Sequence, residues 1–207
     1  MGVRDENRER MEAAIRAAAR EQIRTVGGAA LSMRAIAREV GLVSSAIYRY
    51  HPTREALLTA LVMESYTSLG DALADAAPAG APPADRWRAL ARAFRAWATG
   101  RPHEFQLIYG TPIPGYAAPS DTIPLAARVA MPFLEAGAEG DRLAPPERLA
   151  AQLEGVGGGP AAAPLLALAE LAGLLTLEFG GHLTGVADPA DAYAYAVEDQ
   201  VRRLGLS

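Results

Sequence analysis

Ser44, Ser45, Tyr48 and Arg49 stand close together in the stretch LSMRAIAREVGLVSSAIYRYHPTREALL, Leu31 to Leu58. On a short helix they make one polar face. Free N–H groups at the start of such a helix, beside Ser44 and Ser45, suit a phosphate oxygen. Tyr48 can bond a phosphate or lie against a thymine methyl, and the fork of Arg49 matches O6 and N7 of guanine. This is the chemistry of a helix entering a DNA major groove. Catalytic chemistry is harder to place. There is no G-x-S-x-G, H-E-x-x-H or Walker sequence, no cysteine, and His51, His103 and His182 are scattered. The Gly-rich run Gly155 to Gly159 follows no predicted strand, so it reads as a loop and not a phosphate cradle. No metal site and no cofactor are expected. A helical enzyme or a structural adaptor without DNA binding is the alternative reading.

The polar face needs two elements beneath it. Ser32 can cap a helix running to Val40, Gly41 stops it, and Ser44 or Ser45 caps a third helix ending near Tyr50. Ile36, Ala37, Val40, Leu42 and Ile47 supply a small shared core. A small side chain at Ala37 lets the helices cross closely, and Gly41 takes a positive φ cheaply. Before this pair, Met11, Ile15, Ala18, Ala19, Ile23 and Val26 recur at helical steps and predict a first helix from about Arg4 to Val26. After it, Pro52-Thr53 opens a longer helix to about Ala76.

The rest of the chain also reads as helical, with no alternating strand and no repeat. Helices are expected from Trp87 to about Ala98, Pro102 to Tyr109, Ile123 to Ala138, Pro145 to Leu153, Ala162 to Leu183 and Pro189 to Leu206. The segment 78–83 reads as a break, Thr111 to Ser120 as a loop, and Gly155 to Pro160 as a flexible link. The fold class is all-α. A helix-turn-helix domain over residues 1–56 is followed by a helical bundle over 57–207.

At 207 residues and 50% hydrophobic, the chain can bury a real core. Its net charge of −4 is unevenly placed. Residues 1–60 hold ten arginines and seven acids, and residues 61–207 hold ten arginines and seventeen acids. A basic end on an acidic body fits a chain that offers nucleic acid one surface only. The N-terminus carries acids and arginines, not the apolar run of a secretory signal. The most apolar stretch, Ala161 to Leu177, is interrupted by Pro164, Glu170 and Gly173 and is shorter than the roughly 20 residues of a bilayer span. No membrane association and a cytoplasmic location are expected.

Between Met11 and Leu61 the sequence resembles the tetracycline-repressor family. The resemblance rests on Leu31-Ser32 at the start of the second helix, Ala37, Gly41, Ile47-Tyr48 with Tyr50, and the run Arg54 to Leu58. It implies DNA contacts by Arg34, Ser44, Ser45, Ala46, Tyr48, Arg49, Tyr50 and Arg54. Arg34 and Arg54 are expected to hold the phosphate backbone. Where the family often has Phe and Lys, this chain has His51 and Arg54. His51 is read as a packing or phosphate-edge residue.

In the C-terminal half the run RPHEFQLIYGTPIPGY, Arg101 to Tyr116, looks like one subtype of the family's regulatory domain. The resemblance and the aromatic density suggest a mostly apolar effector pocket near Trp97, Phe105, Ile108, Tyr109, Met131, Phe133 and Leu134. The helix from Leu165 to Leu183 is apolar almost all round, which implies contact on two sides. With the stripe Tyr193, Ala194, Val197, Val201 and Leu204, it suggests a four-helix homodimer interface using Leu174, Leu177, Tyr193, Val197 and Val201, as the resemblance implies. The expected function is a ligand-responsive repressor that binds a (pseudo)palindromic double-stranded DNA operator and is released by a small molecule.

Overall fold

The computed structural model describes residues 2–76, 80–140 and 144–206. Among the described residues every regular element is helical, as the periodicity requires. The expected break at 78–83 lies partly outside them. The chain forms two compact units.

The first unit comprises Met1–Ser65 and His103–Thr122. Helix α1, Val3–Val26, buries Ile15, Ala18, Ala19 and Ile23, while Val26 stays exposed. Gly27, at φ 78°, ends it. The Ser32 hydroxyl accepts the Ala35 N–H at 3.4 Å and caps α2, Met33–Glu39. The Thr53 hydroxyl accepts the Ala56 N–H at 3.0 Å at the start of α3, Arg54–Ala76. Leu57, Leu58 and Leu61 of α3 complete the core with Ile36, Ala37 and Ile47.

Residues 103–122 pack into this same core, so the unit is larger than the expected 1–56. Beyond α5, Pro102–Tyr109, the loop lays Ile113 over Gly28, where an added Cβ would come within 2.6 Å of the Ile113 Cδ1. The hydroxyls of Tyr116 and Thr59 are 3.2 Å apart and share a hydrogen bond. The three prolines identify a loop correctly, but a loop has no periodicity from which burial can be read.

The second unit comprises Tyr66–Pro102 and Ile123–Ser207. In it α4, Pro83–Gly100, packs against α6, Ile123–Ala138, α8, Ala162–Phe179, and α9, Pro189–Arg203. A short α7 covers Glu147–Gln152, and the expected link 155–160 forms parts of two 3₁₀ turns. Trp87 and Phe133 meet edge to face at 5.2 Å, and Phe94 meets Phe133 at 6.2 Å. Gln200 is fully buried and ties three helices together. Its Oε1 accepts the Trp87 indole N–H at 3.1 Å, and its Nε2 donates to the Ala167 carbonyl at 3.0 Å and to Glu170 at 3.1 Å.

Several expectations about the last two helices change. Helix α8 ends at Phe179, short of Leu183, because Gly181 adopts φ 73° and the His182 N–H turns back to the Leu177 carbonyl at 3.0 Å. The segment Gly159–Phe179 does reach the length and apolar character of a bilayer span. Pro164, Ala167, Leu168, Leu171 and Leu175 nevertheless pack inside the unit, which is the pattern of a core helix. The stripe Tyr193, Val197 and Val201 is buried within the protomer, so these three face inward and not toward a partner. Tyr193 even donates its hydroxyl to the Ala91 carbonyl at 2.9 Å, and burial raises its pKa well above the ordinary phenol value. Leu174 is half-buried. The exposed apolar face belongs to α8, where Leu166, Ala169, Gly173 and Leu177 follow each other at three- and four-residue steps.

Replacing Gln200 with Leu would leave the Trp87 indole N–H buried without an acceptor. The expected loss is about 1–3 kcal/mol, read as a lower urea midpoint at unchanged m.

Candidate nucleic-acid interface

The surface expected to meet DNA follows α2 directly. Gly41 sits at φ 73°, and the Leu42 N–H bonds back to the Ala37 carbonyl at 2.8 Å. This closure reverses the chain within two residues and needs no Cβ at position 41. The expected third helix is a turn over Val43–Ala46 followed by a 3₁₀ helix, Ile47–Arg49. Val43 and the two serines favour helix poorly in so short a segment, and the His51 N–H to Ile47 carbonyl bond at 3.1 Å is the one closure of α-helical span there, beside three-residue closures such as Tyr50 N–H to Ile47 carbonyl at 3.0 Å.

Ile47 is completely buried and anchors the turn. Around it Ser44, Ser45, Tyr48 and Arg49 are exposed, and Ala46 and Tyr50 are half-buried. Tyr50 packs against the core with the Arg8 guanidinium 5.8 Å from its ring centre. Val43, 71% exposed in the turn, is an apolar side chain facing solvent that the sequence reading did not single out.

The arginines of the first unit divide into two sets. Arg8 pairs with Glu12, Arg16 and Arg20 with Glu64, and Arg24 with Glu21, while Arg10 bonds to Asn7. Arg34, Arg38 and Arg49 have neither an ion pair nor a side-chain hydrogen bond, and all three are exposed. Arg34 and Arg38 are four residues apart on one face of α2. Arg38 was not among the expected contacts. Its signal was its spacing from Arg34.

Arg54 behaves differently from the expected phosphate contact. Its Nη2 donates to the carbonyls of Gly28 at 2.7 Å and Ala29 at 3.0 Å, and its Nε to the carbonyl of Leu31 at 3.3 Å. It fastens the start of α3 to the connection between α1 and α2, leaving only Nη1 facing Glu55 at 3.8 Å. The resemblance supplied the phosphate role. The carbonyls 23 to 26 residues earlier became visible only in three dimensions.

His51 lies just behind the reading turn, 8% exposed, with its Nε2 buried and unpartnered. Burial lowers its pKa below the ordinary 6.5, and Arg16 lowers it further, against the opposing pull of Glu12 and Glu64. It is a packing residue in the place where the resembled family often has Phe.

The side chains proposed for an effector pocket fall in both units. Trp97, Met131 and Leu134 belong to the second, and Phe105, Ile108 and Tyr109 to the first. Phe133, suggested with them, is a fully buried core residue. Trp97 donates to the Ser68 hydroxyl at 3.0 Å, and Phe105 lies 5.2 Å from Tyr109, tilted by 35°. Among the described residues no group of three or more His, Cys, Asp or Glu could hold a metal ion.

Residues 15–61 match the profile of bacterial regulatory proteins of the tetR family, and residues 87–200 match the tetracyclin repressor-like C-terminal domain. The chain belongs to the tetracycline-repressor family of bacterial regulatory proteins, with the family's helix-turn-helix at its N-terminal end. HTH-type transcriptional regulators of Mycobacterium bovis and Mycobacterium tuberculosis are 44% identical to it over 145 residues. That match takes in 68% of this chain and 61% of each relative. One solved regulatory-protein candidate superposes with a TM-score of 0.83 at 34% identity, over 97% of this chain and 100% of its own. A tetR-family regulatory protein from Rhodococcus RHA1 shares the fold, with a TM-score of 0.66 at 23% identity over 95% of this chain and 98% of its own.

His51 gives a pH prediction. The unfolded chain binds its proton near the ordinary value of 6.5 and the folded chain only below it. Stability from this site is therefore complete above that value and is lost as pH falls through it toward the folded pKa. Between about pH 7.5 and about pH 5.5, the wild-type melting temperature should fall further than that of His51→Phe. Parallel profiles would contradict it.

Proposed function

We propose that this protein is a cytoplasmic, ligand-responsive repressor of transcription that grips a (pseudo)palindromic operator as a homodimer and leaves it when a mostly apolar small molecule binds. The observation that carries the DNA-binding reading is the trio of unpaired guanidiniums, Arg34, Arg38 and Arg49, on α2 and the turn that follows it. Elsewhere in this unit the described arginine side chains have partners. In this reading Arg49 meets a guanine edge, and Arg34 and Arg38 meet phosphates. Ser44 and Ser45 add phosphate contacts, and Tyr48 with Val43 can lie against thymine methyls. Ala46 lets the turn approach closely. Arg54 and Tyr50 act indirectly, by holding the turn and α3 in place.

Dimerisation is supported by the outward face of α8, with Leu166 64% and Leu177 43% exposed and Ala169 and Gly173 between them. Such a face is costly to leave in water and admits a second helix closely. The effector reading rests on the aromatic density of the sequence at Trp97, Phe105 and Tyr109 and on membership of the family. Helix α3 belongs to the first unit up to Ser65 and to the second from Tyr66, and it is one of three places where the chain passes from one unit to the other. A dimer grips successive major grooves only when its reading elements sit about 34–36 Å apart. An effector that favours another spacing must weaken operator binding, and operator must weaken effector binding by the same factor.

Arg49→Ala should cost about 1–3 kcal/mol on the operator and relax base preference at one position per half-site, whereas Arg38→Ala should weaken all sequences alike. An Arg49→Ala binding-site profile identical to wild type would remove the assignment. Leu177→Glu should weaken the dimer by about tenfold or more in sedimentation equilibrium. Wild-type tightness would mean the interface lies elsewhere.

A further inference from the structure

A cleft of about 400 Å³ runs between α4 and α9 in the second unit, within the range of small-molecule sites. Its lining includes Tyr193, Val197 and the small side chains of Ala96, Ala190 and Ala194. Arg88, Arg92 and Arg95 line it from α4, at four- and three-residue steps that place them on one helix face.

The three guanidiniums are not equivalent. Arg88 holds Glu198, which also lines the cleft, through two bonds at 2.8 and 2.9 Å, and Asp85 through a third at 3.2 Å. Arg95 is paired with Glu178, with one bond at 3.0 Å, and its guanidinium stands 5.3 Å from the centre of the Tyr193 ring. Both are thereby fixed in position and neutralised. Arg92 is exposed and has no acidic partner within bonding distance. It lines the cleft beside Glu198, whose carboxyl is held below its ordinary value first by Arg88 and then, against an opposing effect of burial, by Arg202 and Arg92. The charges of these three arginines and of Asp85, Glu178 and Glu198 sum to zero, but Arg92 is the one of the three guanidiniums with no acidic partner.

We propose that this cleft binds a small organic monoanion with a flat apolar body, the anionic group on Arg92 and the body against Tyr193, Val197 and Ala194. A guanidinium can grip a carboxylate or sulfonate through two parallel bonds, which fixes orientation as well as charge. The apolar floor favours an aromatic or alkyl body over a bare inorganic ion. The lining contains none of the side chains assigned above to the effector pocket, so the inference does not rest on that reading.

The test is calorimetric titration of the full chain with 2-naphthoate and with 2-naphthamide, which has the same body and no charge. Naphthoate should bind about tenfold more tightly than the amide. Arg92→Gln should abolish that preference, and Ala194→Trp, which fills the cleft from an exposed position, should weaken both probes. Because both substituted residues are exposed, the fold should survive, and an unchanged melting temperature checks that. Absence of naphthoate binding, equal affinity for the two probes, a preference that survives Arg92→Gln, or indifference to Ala194→Trp would each overturn the proposal.

Discussion

A three-residue 3₁₀ helix has too few hydrogen bonds to keep its shape in water, so the surface around Ser44 to Arg49 depends on how Ile47 is held. Ile47 is buried against the core that includes Ile36 and Ala37, and the chain reaches it through the closed turn at Gly41. A larger residue at 37 would push the turn outward, and a Cβ at 41 would strain the positive φ. His51 closes the turn on its far side, and Arg54 ties the following helix to the carbonyls of residues 28, 29 and 31. The backbone that carries the exposed side chains is held from beneath by this core, where among the described residues of the unit the Nε2 of His51 is the one buried side-chain polar atom without a hydrogen-bond partner.

The same unit separates structural charge from available charge. An arginine paired with a glutamate gives little attraction to a phosphate, because its field is already cancelled at short range. The pairs on Glu12, Glu21 and Glu64 cancel much of α1 in this way, so that among the described residues of this unit the positive charge facing solvent without an acidic partner lies on α2, on the turn and at Arg10, which bonds to the neutral Asn7. The acidic remainder of the chain then disfavours contact of nucleic acid with other surfaces. A net charge of −4 is compatible with DNA binding for this reason.

Much of the fold was legible because helical periodicity directly records burial. Ile15, Ala18, Ala19 and Ile23 in α1, and Trp87, Leu90, Phe94 and Trp97 in α4, are buried where their spacing places them. The reading turn was legible through Ala37 and Gly41, whose small size is needed at those positions. Three features were not legible, each for a physical reason. The 3₁₀ geometry over Ile47–Arg49 differs from an α-turn by bonding partners that a pattern of side chains does not encode. Arg54 was read by its charge, and its carbonyl partners are distant in sequence. The stripe on α9 is apolar whether it packs on α4 of its own chain or on a partner, and periodicity alone cannot separate the two. In the structure Tyr193, Val197 and Val201 are buried within the protomer, where α9 packs on α4 and α8.

The central claim is that Arg34, Arg38 and Arg49 are the cations that meet DNA. The most direct measurement is the salt dependence of binding to random duplex DNA, by fluorescence anisotropy, for wild type and for the variant with all three changed to Ala. The account predicts a linear fall of log Kobs with log salt for wild type, and a slope smaller by about 0.9 for each phosphate that the variant no longer neutralises. Identical slopes, or no binding by the wild type at low salt, would contradict it.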